Sequence, residues 1–115
     1  RAKRRVIALL GMFHEHGYSA VADRDVRISK QTWEVATQLI RMLPSEAPLP
    51  KVLPDGEDGV IFAWLFDNKK FFVTIDNYTL HGVDNAGTPD AVYFDGVKFR
   101  GDQIPSAFIT ALTAV

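Results

Sequence analysis

The sequence predicts an α+β fold with two N-terminal helices, an antiparallel sheet of about four to five strands and one short C-terminal helix. Apolar residues recur at helical spacing before residue 44 and again after residue 101. Between residues 59 and 100, apolar runs rich in aromatic and β-branched residues alternate with turn-forming residues, as in strands. Helices and strands are thus segregated along the chain, which is typical of an α+β fold.

Two amphipathic helices are predicted in the first part of the chain, over residues 2–16 and 30–43. Ser29 is a good N-cap for the second helix, and Trp33 occupies the inner position of a hydrophobic staple. Pro44 ends this helix. The apolar stripe of the second helix consists of Trp33, Ala36, Leu39, Ile40 and Leu43.

A proline-rich strap follows, because four prolines between residues 44 and 54 favour extended backbone. Near the end of the chain, Pro105 suits the first turn of a helix with Phe108 and Leu112 on its apolar face. The 115 residues are interpreted as one domain, large enough to bury about two-thirds of its unfolded surface. Its parts are a helical part at 1–43, the strap at 44–58, the antiparallel sheet at 59–100 and the C-terminal helix at 101–115.

The strand at Gly59–Phe66 is predicted to be central and buried on both faces, because no polar residue interrupts its seven apolar residues. Neighbouring residues of a strand point to opposite faces, so both faces of this strand carry apolar side chains. Further strands are predicted at 70–76, 78–83, 91–95 and 97–99, the last two joined by a tight hairpin at Asp95-Gly96.

Composition narrows the classes of function. An apolar content of 47% and a charged content of 23% are ordinary for a globular protein, and a net charge of -1 gives no general attraction to nucleic acid. The chain has no cysteine, so disulfides and thiolate chemistry are excluded. No apolar run approaches the roughly 20 residues that cross a bilayer. We expect a cytoplasmic protein without a membrane partner.

Two clusters of polar residues resemble binding sites, but a binding role is not the favoured interpretation of either cluster. The basic cluster within residues 1–5 lacks the interleaved aromatic residues of a nucleic-acid platform, so a solvated helix end is the better interpretation. His14 and His16, with His81 as a third ligand, suggest a metal site, but residues two apart on a helix do not face the same way. We therefore predict no metal site, no cofactor and no catalytic residue.

Aromatic residues are concentrated in the predicted sheet, where nine of the thirteen lie between residues 62 and 99. The adjacent pairs Phe71-Phe72 and Tyr93-Phe94 place rings on both faces of the sheet. Three short helices can cover one face of the sheet more easily than both faces. The remaining rings are therefore either enclosed by the chain or part of an interface. The candidate interface or pocket residues are Trp33, Trp64, Phe71, Phe72, Tyr78, His81, Tyr93 and Phe94.

Leu49-Pro50, Pro54-Asp55-Gly56 and a strand running from Gly59 to Trp64 form an ordered pattern. In this pattern, over about residues 40–76, the chain resembles a set of small uncharacterised bacterial α+β proteins with a Leu-Pro-rich strap before a Pro-Asp-Gly turn and a strand ending near a tryptophan. Many of those proteins have an acidic residue before the tryptophan, where this chain has Ala63. The resemblance implies a compact domain of bacterial or phage type and no catalytic residue.

The leading hypothesis is a non-enzymatic protein-interaction module, either a homodimer or an accessory, antitoxin-like or inhibitor-like subunit that binds another protein through the sheet aromatics. The alternative is a small-ligand binding protein or minor enzyme with a pocket between sheet and helices. The residues expected to line that pocket are Trp33, Trp64, Tyr78 and His81. Nucleic-acid binding through the N-terminal helix is a third, disfavoured hypothesis, and it predicts affinity that falls steeply with salt.

Overall fold

The computed structural model describes residues 2–15, 18–19, 25–26, 28–44, 47–55, 59–66 and 69–99, together with Ser106 and Phe108. Two short strands pair as an antiparallel ribbon, and five longer strands form one antiparallel sheet in sequence order. The elements are α1 (Ala2–Glu15), β1 (Tyr18–Ser19), β2 (Asp25–Val26), α2 (Lys30–Met42), β3 (Lys51–Asp55), β4 (Gly59–Phe66), β5 (Lys69–Asp76), β6 (Thr79–Asp84) and β7 (Val92–Lys98).

The α+β class and the two N-terminal helices agree with the prediction, but the predicted C-terminal helix is wrong. The elements of the described structure end with β7 and include no C-terminal helix. Of the predicted segment 101–115 only Ser106 and Phe108 are described, both with helical backbone, and the remainder lies outside the described residues. An apolar stripe predicts which residues are buried, and Phe108, which belongs to the predicted stripe, is indeed buried.

The strand boundaries also need correction at two places. The predicted strap at 44–58 contains β3, whose residues pair with β4 from Lys51↔Ala63 to Asp55↔Gly59. Proline lacks a backbone N–H donor. Pro54 is tolerated in β3 because this edge strand has no neighbouring strand on one side, where no N–H donor is needed. The segment between the two predicted helices, for which the sequence analysis predicts no strand, contains the β1–β2 ribbon.

The predicted hairpin at Asp95-Gly96 is a bulge inside the single strand β7. Leu80 pairs with Val97 and Gly82 pairs with Phe94, so His81 alone opposes two residues of β7. Gly96 has a φ of 65°, a left-handed conformation that glycine adopts without steric cost. The Asp-Gly dipeptide therefore supplies the positive φ that a bulge uses, and β7 continues through it.

The core lies between one face of the sheet and the two helices. The register places Val60 opposite Ile75, Phe62 opposite Val73, and Trp64 opposite Phe71, and all six side chains are buried. The α2 residues that complete this core are Val35, Ala36, Leu39 and Ile40. Full burial of side chains of this size stabilises the fold by about 1.5–3 kcal/mol each.

Gly82 on β6 makes room for an aromatic ring. The ring of Phe94 lies directly over it, and a Cβ at position 82 would clash with three ring carbons. The same ring packs against Phe71 at a centroid distance of 6.0 Å and against Phe108 at 4.9 Å. The missing side chain at position 82 thus lets the β7 aromatic reach the core.

The two helices are joined end to end by a lysine. Lys3 at the start of α1 donates from Nζ to the Leu43 carbonyl at 2.7 Å and to the Arg41 carbonyl at 3.4 Å. These carbonyls lie at the C-terminal end of α2, where a positive charge interacts favourably with the helix dipole. One member of the basic N-terminal cluster therefore has a structural role as a cap.

The other end of α2 is fastened to the turn between β5 and β6. Ser29 is the N-cap, as predicted, and its Oγ accepts from the Thr32 N–H at 3.2 Å. Thr32 is buried, and its Oγ1 accepts from the Asn77 N–H at 2.9 Å. Asn77 turns the chain with a φ of 55°. The first turn of α2 thus positions the hairpin that follows the central strand of the sheet.

Replacing the N-cap tests this connection. We expect Ser29→Ala to lower the free energy of unfolding by about 1 kcal/mol, because the Thr32 N–H loses its acceptor. Ser29→Thr keeps a hydroxyl at the cap and should stay within about 0.5 kcal/mol of the unmodified chain. Urea denaturation followed by circular dichroism measures both, and equal stability of the two variants would contradict the capping role.

Candidate interaction face of the sheet

The side of the sheet opposite the core, called here the outer face, is defined by the residues that alternate with the buried ones. One row of paired residues crosses all five strands of the sheet. That row is Lys51, Ala63, Phe72, Val83 and Tyr93. The flanking residues of the outer face are Leu53, Ile61, Leu65, Lys70, Thr74, Asp76, Thr79, His81 and Lys98.

No described residue of the outer face belongs to the core cluster or packs against it, whereas both helices contribute to that cluster. Leu53, Leu65 and Tyr93 are 43%, 47% and 74% exposed, and Phe72 is half-buried. The prediction that β4 is buried on both faces is therefore wrong at Leu65. A solvated face of an antiparallel sheet is ordinarily polar, so this face departs from the usual pattern.

A bulge places two polar groups on the outer face. His81 Nδ1 contacts a carboxylate oxygen of Asp95, and the Gly96 N–H lies 3.1 Å from the same nitrogen. One ring nitrogen cannot donate to a carboxylate and accept from an amide together, and we assign the donor role because a carboxylate only accepts. The carboxylate thereby sets the imidazole tautomer and leaves Nε2 as its acceptor.

The His81–Asp95 pair lies in an open groove of about 420 Å³. The side chains of His81 and Asp95 are 40% and 88% exposed, so water has access to both. Positioned acids, bases and dipoles act most strongly where water is excluded, so this pair suits recognition better than catalysis. The groove residues are Phe72, Thr74, His81, Gly82, Val83, Tyr93, Phe94 and Asp95.

The structure places the eight predicted interface or pocket residues in three separate regions. Trp64 and Phe71 are buried in the core, with ring centroids 5.3 Å apart, and Trp33 and Phe94 pack against that core. Phe72, His81 and Tyr93 meet at the outer-face groove. Tyr78 lies apart from both groups, in the β5–β6 turn beside a second open pocket of about 520 Å³.

Sequence reasoning missed the aliphatic half of the outer face and the partner of His81. The predicted interface residues do not include Leu53, Ile61, Leu65 and Val83, because an aliphatic residue in a strand is usually buried. The alternation of side chains along a strand was a usable signal, since it places Phe71 and Phe72 on opposite faces of the sheet. This alternation alone does not say which face the helices cover.

A largely buried ion pair joins β5 to β6. Lys69 is nine-tenths buried at the start of β5, and its ammonium lies 2.9 Å from the carboxylate of Asp84 on β6. Asp84 also accepts from the Asn85 N–H at 2.9 Å. These contacts satisfy both charges, as burial requires.

The described residues contain neither a cluster of metal-ligating side chains nor a helix that could span a membrane. Within these residues, no group of three or more metal-ligating side chains could hold an ion. The side chains of His14 and His16 lie outside the described residues. No described helix has both the length and the apolar character needed to cross a membrane.

Comparison of the chain with protein-family models, with curated protein sequences and with solved structures gave no match. The assignment of a function therefore depends on the chemistry of the described surface. Its main features are the apolar outer face and the His81–Asp95 groove.

Two adjacent phenylalanines test the assignment of the faces. We expect Phe71→Ala to lower the free energy of unfolding by about 3–5 kcal/mol, because it leaves a cavity in the core. Phe72→Ala should cost about 1 kcal/mol, since a half-buried ring loses only part of its transfer free energy. Chemical denaturation compares the variants, and a larger loss for Phe72→Ala would contradict the assignment.

Proposed function

We propose that the protein is a non-enzymatic interaction module that binds another protein chain through the outer face of its sheet. The observation that carries this proposal is the set of exposed apolar side chains on that face, Leu53, Leu65 and Tyr93. Contiguous apolar surface on a small domain marks an interaction site more often than it marks ordinary solvated surface.

The arrangement of residue types supports a protein partner. The middle of the outer face holds Ile61, Phe72 and Val83, which are half-buried and apolar. Charged residues lie toward its margins, among them Lys51, Lys70, Asp76, Asp95 and Lys98. An apolar centre with a polar rim is the usual anatomy of a protein interface. Tyr93 is also of a residue type that often dominates binding energy.

The charges of the same face argue against nucleic acid. A surface that binds a phosphate backbone needs positive charge of one sign along a stripe. Here Asp76 lies on the same strand as Lys70, and the net charge of the chain is -1. An accessory, antitoxin-like or inhibitor-like subunit of bacterial origin, in the cytoplasm, remains the finer expectation from the sequence.

Site-specific photo-crosslinking tests the proposal. A benzophenone side chain at position 65 or 72 should form a discrete adduct with one protein species in the organism that carries the chain. The reason is that both positions lie on the outer face. The same group at position 34, exposed on α2, is the control and should form no such adduct. Mass spectrometry identifies the adduct, and its absence from both outer-face positions would overturn the proposal.

A second candidate function is supported by the His81–Asp95 groove. An oriented imidazole beside Thr74 and the rings of Phe72 and Tyr93 combines polar and apolar lining, as small-ligand sites do. This groove lies on the outer face, and of the four residues expected to line a pocket between sheet and helices only His81 lines it. Such a protein would bind a small molecule with a hydrogen-bond donor for the imidazole Nε2.

Thermal unfolding in the presence of a panel of metabolites tests this second candidate. A compound present at about 100 times its Kd should stabilise the fold by about 2.7 kcal/mol. The stabilisation should disappear in Asp95→Asn, which removes the carboxylate that fixes the imidazole tautomer. Compounds that stabilise both chains equally, or no stabilising compound at all, would count against the groove as a ligand site.

A further inference from the structure

The outer face has a regular order of large and small residues along its central strands. On β5 the outer-face residues run Lys70, Phe72, Thr74 and Asp76, with a positive charge at one end and a negative charge at the other. Both charged side chains are exposed, and within the described residues neither forms an ion pair. A second copy of β5 that runs in the opposite direction would therefore be electrostatically complementary to the first.

One row of the sheet divides this order symmetrically. Phe62 pairs with Val73, and Val73 pairs with Gly82, so these three residues lie side by side across β4, β5 and β6. On each strand the outer-face residues are equally spaced before and after that row. A two-fold axis along the row, between two sheets packed face to face, would lay each strand on its reversed copy.

On β5 the same axis pairs a large residue with a smaller one, because Phe72 would face Thr74 of the second copy. On β4, Ile61 would face Ala63 and Leu65 would face Gly59. Ala63 and Gly59 are buried, so the contact surface of β4 comes from Ile61 and the exposed Leu65. The two apolar layers would therefore meet mainly through their large side chains.

The charged residues at the two ends of β5 are also complementary across this axis. The axis brings Lys70 of each copy to Asp76 of the other, about 10 Å from the axis on either side by the strand rise of about 3.4 Å per residue. A parallel arrangement in which strands keep their direction would place Lys70 against Lys70 and Asp76 against Asp76. The charges of β5 therefore favour the antiparallel orientation over the parallel one.

The size of the face is adequate for a dimer. Five strands about 4.8 Å apart and roughly 25 Å long give a face of the order of 500 Å² in plan. Side-chain relief raises the accessible area toward the roughly 800 Å² per partner of a standard interface.

We propose that the occupant of the outer face is a second copy of this chain, packed face to face about a two-fold axis along the Phe62–Val73–Gly82 row. This inference rests on the proposed interaction function and names its partner. The dimer is held by the apolar side chains of the two outer faces and oriented by two symmetric Lys70–Asp76 pairs.

Charge exchange between two chains tests the arrangement. Lys70→Asp and Asp76→Lys each turn two attractions into two repulsions, so each variant alone should dimerise at least about tenfold more weakly than the unmodified chain. Mixing the two variants in equal amounts restores both attractions and should give a mixed dimer. Sedimentation velocity with one chain fluorescently labelled measures these equilibria, and circular dichroism verifies folding.

Glu34→Lys, which reverses a charge on exposed α2, is the matched control and should leave dimerisation unchanged. An unmodified chain that stays monomeric at roughly 100 μM, or a dimer insensitive to both variants, would overturn the inference. If the crosslinks from position 72 then identify a different protein, the interaction function stands with another partner. If no crosslink forms, both proposals fall.

Discussion

Trp64 of β4 stacks on Phe71 of β5, with ring centroids 5.3 Å apart and an interplanar angle of 25°. This contact fixes the register of β4 and β5, because a shift of either strand by one residue would carry its ring to the opposite face and separate the pair. The indole Nε1 donates to the Pro48 carbonyl at 2.8 Å, so the same side chain also fastens the proline-rich segment to the sheet. The division of the sheet into a covered and an open face depends on this pair.

Local chemistry explains which parts of the fold the sequence could predict. Ser29, Trp33 and Pro44 define α2 within a few neighbouring residues, and the uninterrupted run of β4 needs no distant partner to be recognised. The β3 strand depends instead on pairing with β4, and its proline content concealed it. Asp95-Gly96 serves equally in a tight turn and in a bulge, and only the pairing of β7 with β6 decides between them.

The candidate site could be predicted only in part for a related reason. Alternation along a strand separates Phe71 from Phe72, but the identity of the covered face is a tertiary property. Counting aromatic residues therefore mixed core rings such as Trp64 with surface rings such as Tyr93. The order of large and small residues on β4 and β5 is visible in the sequence, but its meaning requires the row that relates Phe62 to Val73.

The contact between Gly82 and the ring of Phe94 has a consequence for how this chain can change over time. The space above position 82 is filled by an atom group from position 94, so the two sites share a single volume. A methyl group gained at the first site has to be matched by a smaller side chain at the second, or the ring leaves Phe71 and Phe108. Natural variants of this fold should therefore change positions 82 and 94 together and not one at a time.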